Sequence, residues 1–209
     1  FLAIGTPHVH AQHCDAQKGD SMWRIAKRYK IPFFRILEIN RHYPNQNLIH
    51  PKDDIELPEG EHGQSTEEAN NQQGTETAEA ADVTQQAKEV LQLVNKERTA
   101  RGLKALTLSE KLTNVATVKA QDMADKGYFD HTSPTYGSPF DMLQRFGVKY
   151  SSAGENIAAG QKDAAEVMNS WMNSSGHRAN ILNANYEQIG IGYVTGGKWG
   201  TYWVQLFIK

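Results

Sequence analysis

A single cysteine, Cys14, stands in 209 residues, so no intrachain disulfide is available and packing alone must hold the fold. Cys14 is either a free thiol or pairs between chains. No stretch reaches the roughly 18 consecutive apolar residues that a membrane-spanning helix needs, and no transmembrane segment is expected. Lys and Arg are absent from 59–82, where seven acids fall (Glu59, Glu61, Glu67, Glu68, Glu76, Glu79, Asp82). Large apolar residues are nearly absent there too, so this segment cannot bury enough surface to order itself and is expected to be an acidic, self-repelling linker. Against an overall formal charge of −2, those seven leave +5 on the rest of the chain. That balance is too mild to argue for nucleic acid, and it is compatible with an anionic wall polymer. Neither an HExxH run nor a nucleophile elbow occurs, so Ser133, Ser151, Ser152, Ser174 and Ser175 lack the context of a serine nucleophile.

The opening residues suggest export. Phe1 to Gly5 reads as the end of an apolar segment, and Val9-His10-Ala11 has the small-residue spacing of a signal cleavage site, so residues 1–14 are expected to be a signal remnant and tail.

Residues 15–58 read as a small unit. Gly19-Asp20-Ser21 is turn chemistry, with Asp20 or Ser21 able to cap the helix that follows. Trp23, Ile25-Ala26 and Tyr29 fall at helical spacing, Ile31-Pro32 ends that helix, and Phe33 with Ile36-Leu37 makes a second. Leu48-Ile49 and Ile55 to Leu57 are strand-like, closed by Pro58. Gly19 to Ala26, Ile36 to Asn40, Asn47 to Ile49 and Pro51 to Pro58 together resemble a LysM module. The resemblance implies a βααβ fold that binds N-acetylglucosamine-containing glycans such as peptidoglycan. It implies a groove formed by Gly19, Asp20, Ser21 and Met22 from one loop and Asn47, Leu48 and Ile49 from the other. The Gly-Gln usual after the family's proline is Lys52-Asp53 here.

From Val83 the pattern changes. Val83, Ala87, Val90-Leu91, Val94 and Arg98 trace one helix face, ended by Gly102. Thr107-x-x-Glu110 has capping-box spacing, ahead of a stripe through Leu112, Val115-Ala116, Ala120 and Met123-Ala124 that Lys126-Gly127 closes. Ser138-Pro139 opens a short helix, and Asp163 precedes another whose apolar face is Ala164, Val167-Met168 and Trp171. That helix is expected to stop at Ser174-Ser175-Gly176, with Gly176 taking a left-handed conformation that aims His177. Ile189, Ile191 and Tyr193 alternate with Gly190 and Gly192, and Thr201 to Ile208 is apolar on both faces. A strand apolar on both faces needs helices on both sides, which gives an α+β fold in three layers, α-β-α. Two strands are too few, so a third is expected within Glu155 to Ala159.

His131, Glu155 and His177 all lie at element ends, where side chains can converge on one cleft. Two imidazoles and a carboxylate suit an open zinc site; the carboxylate can instead take a water's proton, or the three can form a hydrogen-bonded cluster without metal. Asp130 reads as a turn residue. The motifs Phe129-x-His131-x-Ser133-Pro134, Gly154 to Ala158, Trp171 to Leu182, Gly190-Ile191-Gly192 and the closing aromatic strand resemble a bacterial CAP (SCP-like) domain over residues 83–209. The resemblance implies an α-β-α sandwich and a cleft that carries His131, Glu155 and His177, with Zn²⁺ or another divalent cation held in some members through the two histidines. A second family glutamate falls at the position of Ser174. The two resemblances imply a secreted, envelope or spore-surface protein of a bacterium, whose partners are wall glycan and envelope or spore-coat proteins. A metal-assisted hydrolase and a coat component with an inactive cleft stand as alternative expectations.

Overall fold

The computed structural model describes residues 12–18, 20, 22–31, 33–40, 42–43, 49–58 and 73–209. Residues 1–11 of the expected signal remnant and most of the expected linker lie outside the described residues, while Gln12 to Cys14, expected in the tail, belong to a strand. The chain divides into two compact units, Phe1–Thr77 and Ala78–Lys209.

In the first unit β1 (Gln12–Asp15) pairs antiparallel with β2 (Asp54–Leu57), and α1 (Met22–Arg28) and α2 (Phe33–Ile39) lie between them in sequence. The βααβ order is the expected one, but the first strand starts before residue 15 and Ile49 lies in no strand. Ile25, Ile36 and Ile55 are wholly buried. Asn40, also buried, joins helix to strand: its amide donates to the Glu56 carbonyl at 2.8 Å and accepts from the Glu56 N–H at 2.9 Å. The Asp20 carboxylate accepts from the Gln17 N–H and from both terminal nitrogens of Arg28. His50 to Asp53 forms a turn closed by the Asp53 N–H to the His50 carbonyl, with Pro51 second and Lys52 third at φ 75°. A type II turn wants glycine at that third position, which is where the family pattern places one.

The second unit is built on a four-stranded sheet of order β3-β5-β6-β4. β4 (Ala153–Ala159) is the third strand expected near Glu155, and it pairs antiparallel with β6 (Thr201–Ile208), with Glu155 opposite Leu206. β5 (Gln188–Thr195) pairs antiparallel with β6 on its other side. β3 (Thr107–Leu108) adds two residues parallel to β5, so Thr107 is a strand residue. The cap of α4 (Glu110–Lys126) is Ser109, whose hydroxyl accepts from the Leu112 N–H, and Gly127 ends the helix at φ 64°. A strand this short leaves no alternation to read, which is why the capping-box spacing at Thr107 misleads.

The two faces of the sheet are covered as expected. Trp203 and Phe207 of β6 pack with Ile189, Ile191 and Tyr193 of β5 against Val90 and Val94 of α3 (Gln73–Thr99) and Val167 and Trp171 of α6 (Ala164–Met172). α4 covers the opposite face. There Gly190 and Gly192 let its backbone touch the sheet: a β-carbon on Gly192 would lie 2.4 Å from the Ala116 carbonyl carbon. α3 begins ten residues before Val83. Its first turns are rich in alanine and glutamate, which favour helix by propensity without producing an apolar stripe.

The expected stop at Gly176 is not there. α6 ends at Asn173, and Ser174 opens a second short helix, α7 (Ser175–Ile181), with Gly176 inside its first turn. Its φ is not positive and nothing lies within 4 Å of a β-carbon built there. Gly176→Ala is therefore expected to raise stability by about 0.5–1 kcal/mol, whereas Gly192→Ala is expected to cost about 3 kcal/mol or more. Urea unfolding of the two variants, followed by the signal of buried Trp171 and Trp203, checks the pair.

Candidate functional site

His131 is delivered by the loop that follows α4. Asp122 of that helix accepts from Tyr128 Oη (2.6 Å), Ser133 Oγ (2.6 Å) and Thr135 Oγ1 (2.9 Å), and pairs with Lys126 (3.0 Å). Burial pushes the Asp122 carboxyl up, but the hydrogen bonds from Ser133, Tyr128, Lys126 and Thr135 outweigh it and hold the group below the usual range. Asp130 caps its own turn, accepting from the Thr132 N–H, as expected.

Glu155 comes from the edge strand β4. Its carboxylate is 3% exposed and its Oε1 accepts from His131 Nδ1 at 2.8 Å, while the His131 side chain is 53% exposed. The carboxylate thus grips one ring nitrogen and leaves Nε2 toward solvent. This hydrogen bond raises the His131 pKa above the ordinary histidine value, against a smaller opposing effect of burial.

His177 lies in the first turn of α7, half-buried. Burial lowers its pKa, and the charge of His131 lowers it further. α7 is fastened to β4 by carboxamides. Asn156 Nδ2 donates to the His177 carbonyl (3.1 Å) and to Gln205 Oε1 (3.0 Å). Asn180 Nδ2 donates to the Glu155 carbonyl (3.2 Å) and to Asn156 Oδ1 (2.9 Å). Buried Arg98 holds the far end of α7, donating to the carbonyls of Ile181 and Asn183, each at 2.8 Å.

His131 and Glu155 are in direct contact, and the turn that carries His177 is tied to the next residue of β4 through the Asn156 bond to the His177 carbonyl. Ser174, at the position of the second family glutamate, supplies no carboxylate, and Glu166 is turned to its own helix start, accepting from the Lys162 N–H. Among the described residues no three His, Cys, Asp or Glu side chains are grouped to hold a metal. The donors available are two imidazoles, short of the three protein ligands of a catalytic zinc. Of the residues expected to bind glycan, Asp20 is engaged by Arg28, the Met22 side chain is buried and Ile49 is half-buried. Gly19, Ser21, Asn47 and Leu48 lie outside the described residues.

Sequence reasoning passes over Lys119, Asp122 and Gln205. A signal is present for the first: position 119 falls four residues after Val115 and four before Met123, on the apolar stripe, where a charge has no packing role.

A three-layer sandwich whose edge strand carries Glu155 against the His131 ring defines a class. Residues 91–207 match the model of the Cysteine-rich secretory protein family, CAP, and residues 16–58 match that of the LysM domain. The chain belongs to the CAP family and carries a LysM module before the CAP domain. It is 54% identical over 134 residues to YkwD of Bacillus subtilis, an alignment that takes in 64% of this chain and 51% of that protein. It is 36% identical over 126 residues to the membrane protein YlbC of the same organism, across 60% of this chain and 35% of the relative. The chain thus spans about half of the first relative and about a third of the second. Among solved structures, an extracellular SCP-domain protein of Bacillus anthracis aligns with TM-score 0.57 and 30% identity, covering 76% of this chain and 47% of that one. An outer surface protein of Borrelia burgdorferi shares the fold, with TM-score 0.57 at 22% identity over 61% of this chain and 95% of its own.

The opposite shifts of the two imidazoles give an order of titration. In histidine-labelled protein followed by NMR, His131 is expected to take up its proton at higher pH than an ordinary histidine and His177 at lower pH. A reversed order would contradict the geometry.

Proposed function

We propose that this protein works in a bacterial cell envelope, where the LysM module holds N-acetylglucosamine-containing wall glycan and the CAP domain offers the His131/Glu155/His177 cleft to a second ligand. The observation that carries this reading is the presence of both modules in one chain. The extracellular source of the Bacillus anthracis structure supports the location. Two modest affinities joined in one chain act through effective concentration and need no contact between the modules. Because Asp20 and Met22 direct their side chains inward, the groove would meet glycan through backbone groups and through the loop that ends at Ile49. At the cleft, a partly exposed His131, when its ring is protonated, offers Nε2–H to an acceptor or anionic group on the ligand.

The metal-assisted hydrolase reading needs a third ligand, and the residues that would supply it are Ser174 and the already engaged Glu155. Binding is therefore the function the cleft supports best. Envelope or spore-coat proteins are partners of suitable kind for the CAP domain.

The full chain is expected to sediment with purified peptidoglycan and to be released by soluble N-acetylglucosamine oligomers. Ile49→Asp is expected to weaken that sedimentation by about tenfold, the loss of one good contact of about 1.4 kcal/mol. His131→Ala/His177→Ala should sediment as wild type does. Failure of the unaltered chain to sediment would overturn the anchoring half of the reading.

A further inference from the structure

We propose that Lys119 is a positioning residue of the cleft, the group that fixes His131 from behind. Lys119 is 1% exposed, on the buried side of α4 among Val115, Ala116 and Met123 and one turn before Asp122. Its ammonium donates to the His131 carbonyl at 2.7 Å. Burying an ammonium is costly, and an aliphatic side chain of similar volume would fill the same space without that cost. The cost is explained if the bond does something that packing does not.

What it does follows from the geometry. His131 is held at two points by two different elements. Glu155 of β4 grips the ring at Nδ1, and Lys119 of α4 grips the backbone oxygen of the same residue. One turn further along α4, Asp122 fastens both flanks of the loop through Tyr128, Ser133 and Thr135. With the backbone fixed, the imidazole can satisfy Glu155 in one orientation, which presents Nε2 to the cleft. The groups facing Lys119 are the carboxylates of Glu155, Asp122 and Asp130 and the ring of Tyr128, whose centroid is 5.2 Å from the ammonium. Three nearby carboxylates keep the buried charge tolerable, although burial still depresses the lysine.

This inference rests on the cleft reading in treating His131 as a site residue, but its test needs no ligand. In the full chain labelled with ¹⁵N at histidine, at about pH 8.5 where imidazoles are neutral, two-bond proton–nitrogen correlations report which ring nitrogen carries the proton. Wild type is expected to show His131 as the Nδ1–H tautomer alone. Lys119→Met should lose that single-tautomer pattern and give a mixture, and Lys119→Arg, which keeps a cationic donor, should retain it. Lys119→Gln carries the same comparison if the methionine variant does not fold. Leu112→Ala removes a wholly buried α4 side chain away from the loop and serves as the control for general loosening. A pattern unchanged in Lys119→Met, or changed as much in Leu112→Ala, would overturn the proposal. Loss of wall binding with the tautomer response intact would instead count against the functional reading alone.

Discussion

The placement of His177 depends on the bond between Asn156 and the backbone of α7. β4 is an edge strand, so its outer side has no neighbouring strand to satisfy it. α6 and α7 take that place: Trp171 Nε1 donates to the Ile157 carbonyl at 3.2 Å, and Asn180 donates to that of Glu155. Asn156, wholly buried, completes the link by donating to the His177 carbonyl. Consecutive residues of one strand thus do two jobs. Glu155 points to the α4 side and takes the His131 ring, and Asn156 points to the other side and takes the segment that carries His177. The alternation of a β-strand is what brings side chains from two layers of the sandwich to one edge.

α4 is the second fixed part. Its contact with β5 is backbone against backbone at Gly190 and Gly192, which sets its height over the sheet. From that height Lys119 and Asp122 reach the loop that carries His131. Arg98 does the equivalent work for the other histidine, because its guanidinium bonds backbone carbonyls at and beyond the end of α7 rather than an acid. Each histidine is therefore placed by a buried cation that bonds main-chain oxygen. Neutral carboxamides fill the space between them, and a network fully satisfied in this way is rigid.

Much of this is legible in the sequence where one physical signal dominates. The two-faced apolar run at Thr201 to Ile208 demands cover on both sides, and the structure supplies it. His131, Glu155 and His177 are visible as polar residues at element ends within recognisable motifs. Local chemistry is less readable. Gly176 looks like a left-handed stop because Ser-Ser-Gly reads as a helix end, yet the chain starts a new helix there. Thr107 looks like a cap because the two-residue strand it belongs to exists only through pairing with Gln188, far away in sequence. The start of α3 escapes notice because alanine and glutamate make helix without periodicity. Lys119 is passed over because a charge on an apolar stripe carries meaning only when its target is known, and that target lies in a loop.

The central claim is that His131 and His177 share one cleft, where the charge of His131 depresses the His177 imidazole. The most direct measurement is the titration of His177 in His131→Gln, which removes the neighbouring charge and keeps a polar side chain. The account predicts that His177 then takes up its proton at higher pH than in the unaltered protein. An unchanged His177 titration in a folded His131→Gln chain would contradict it.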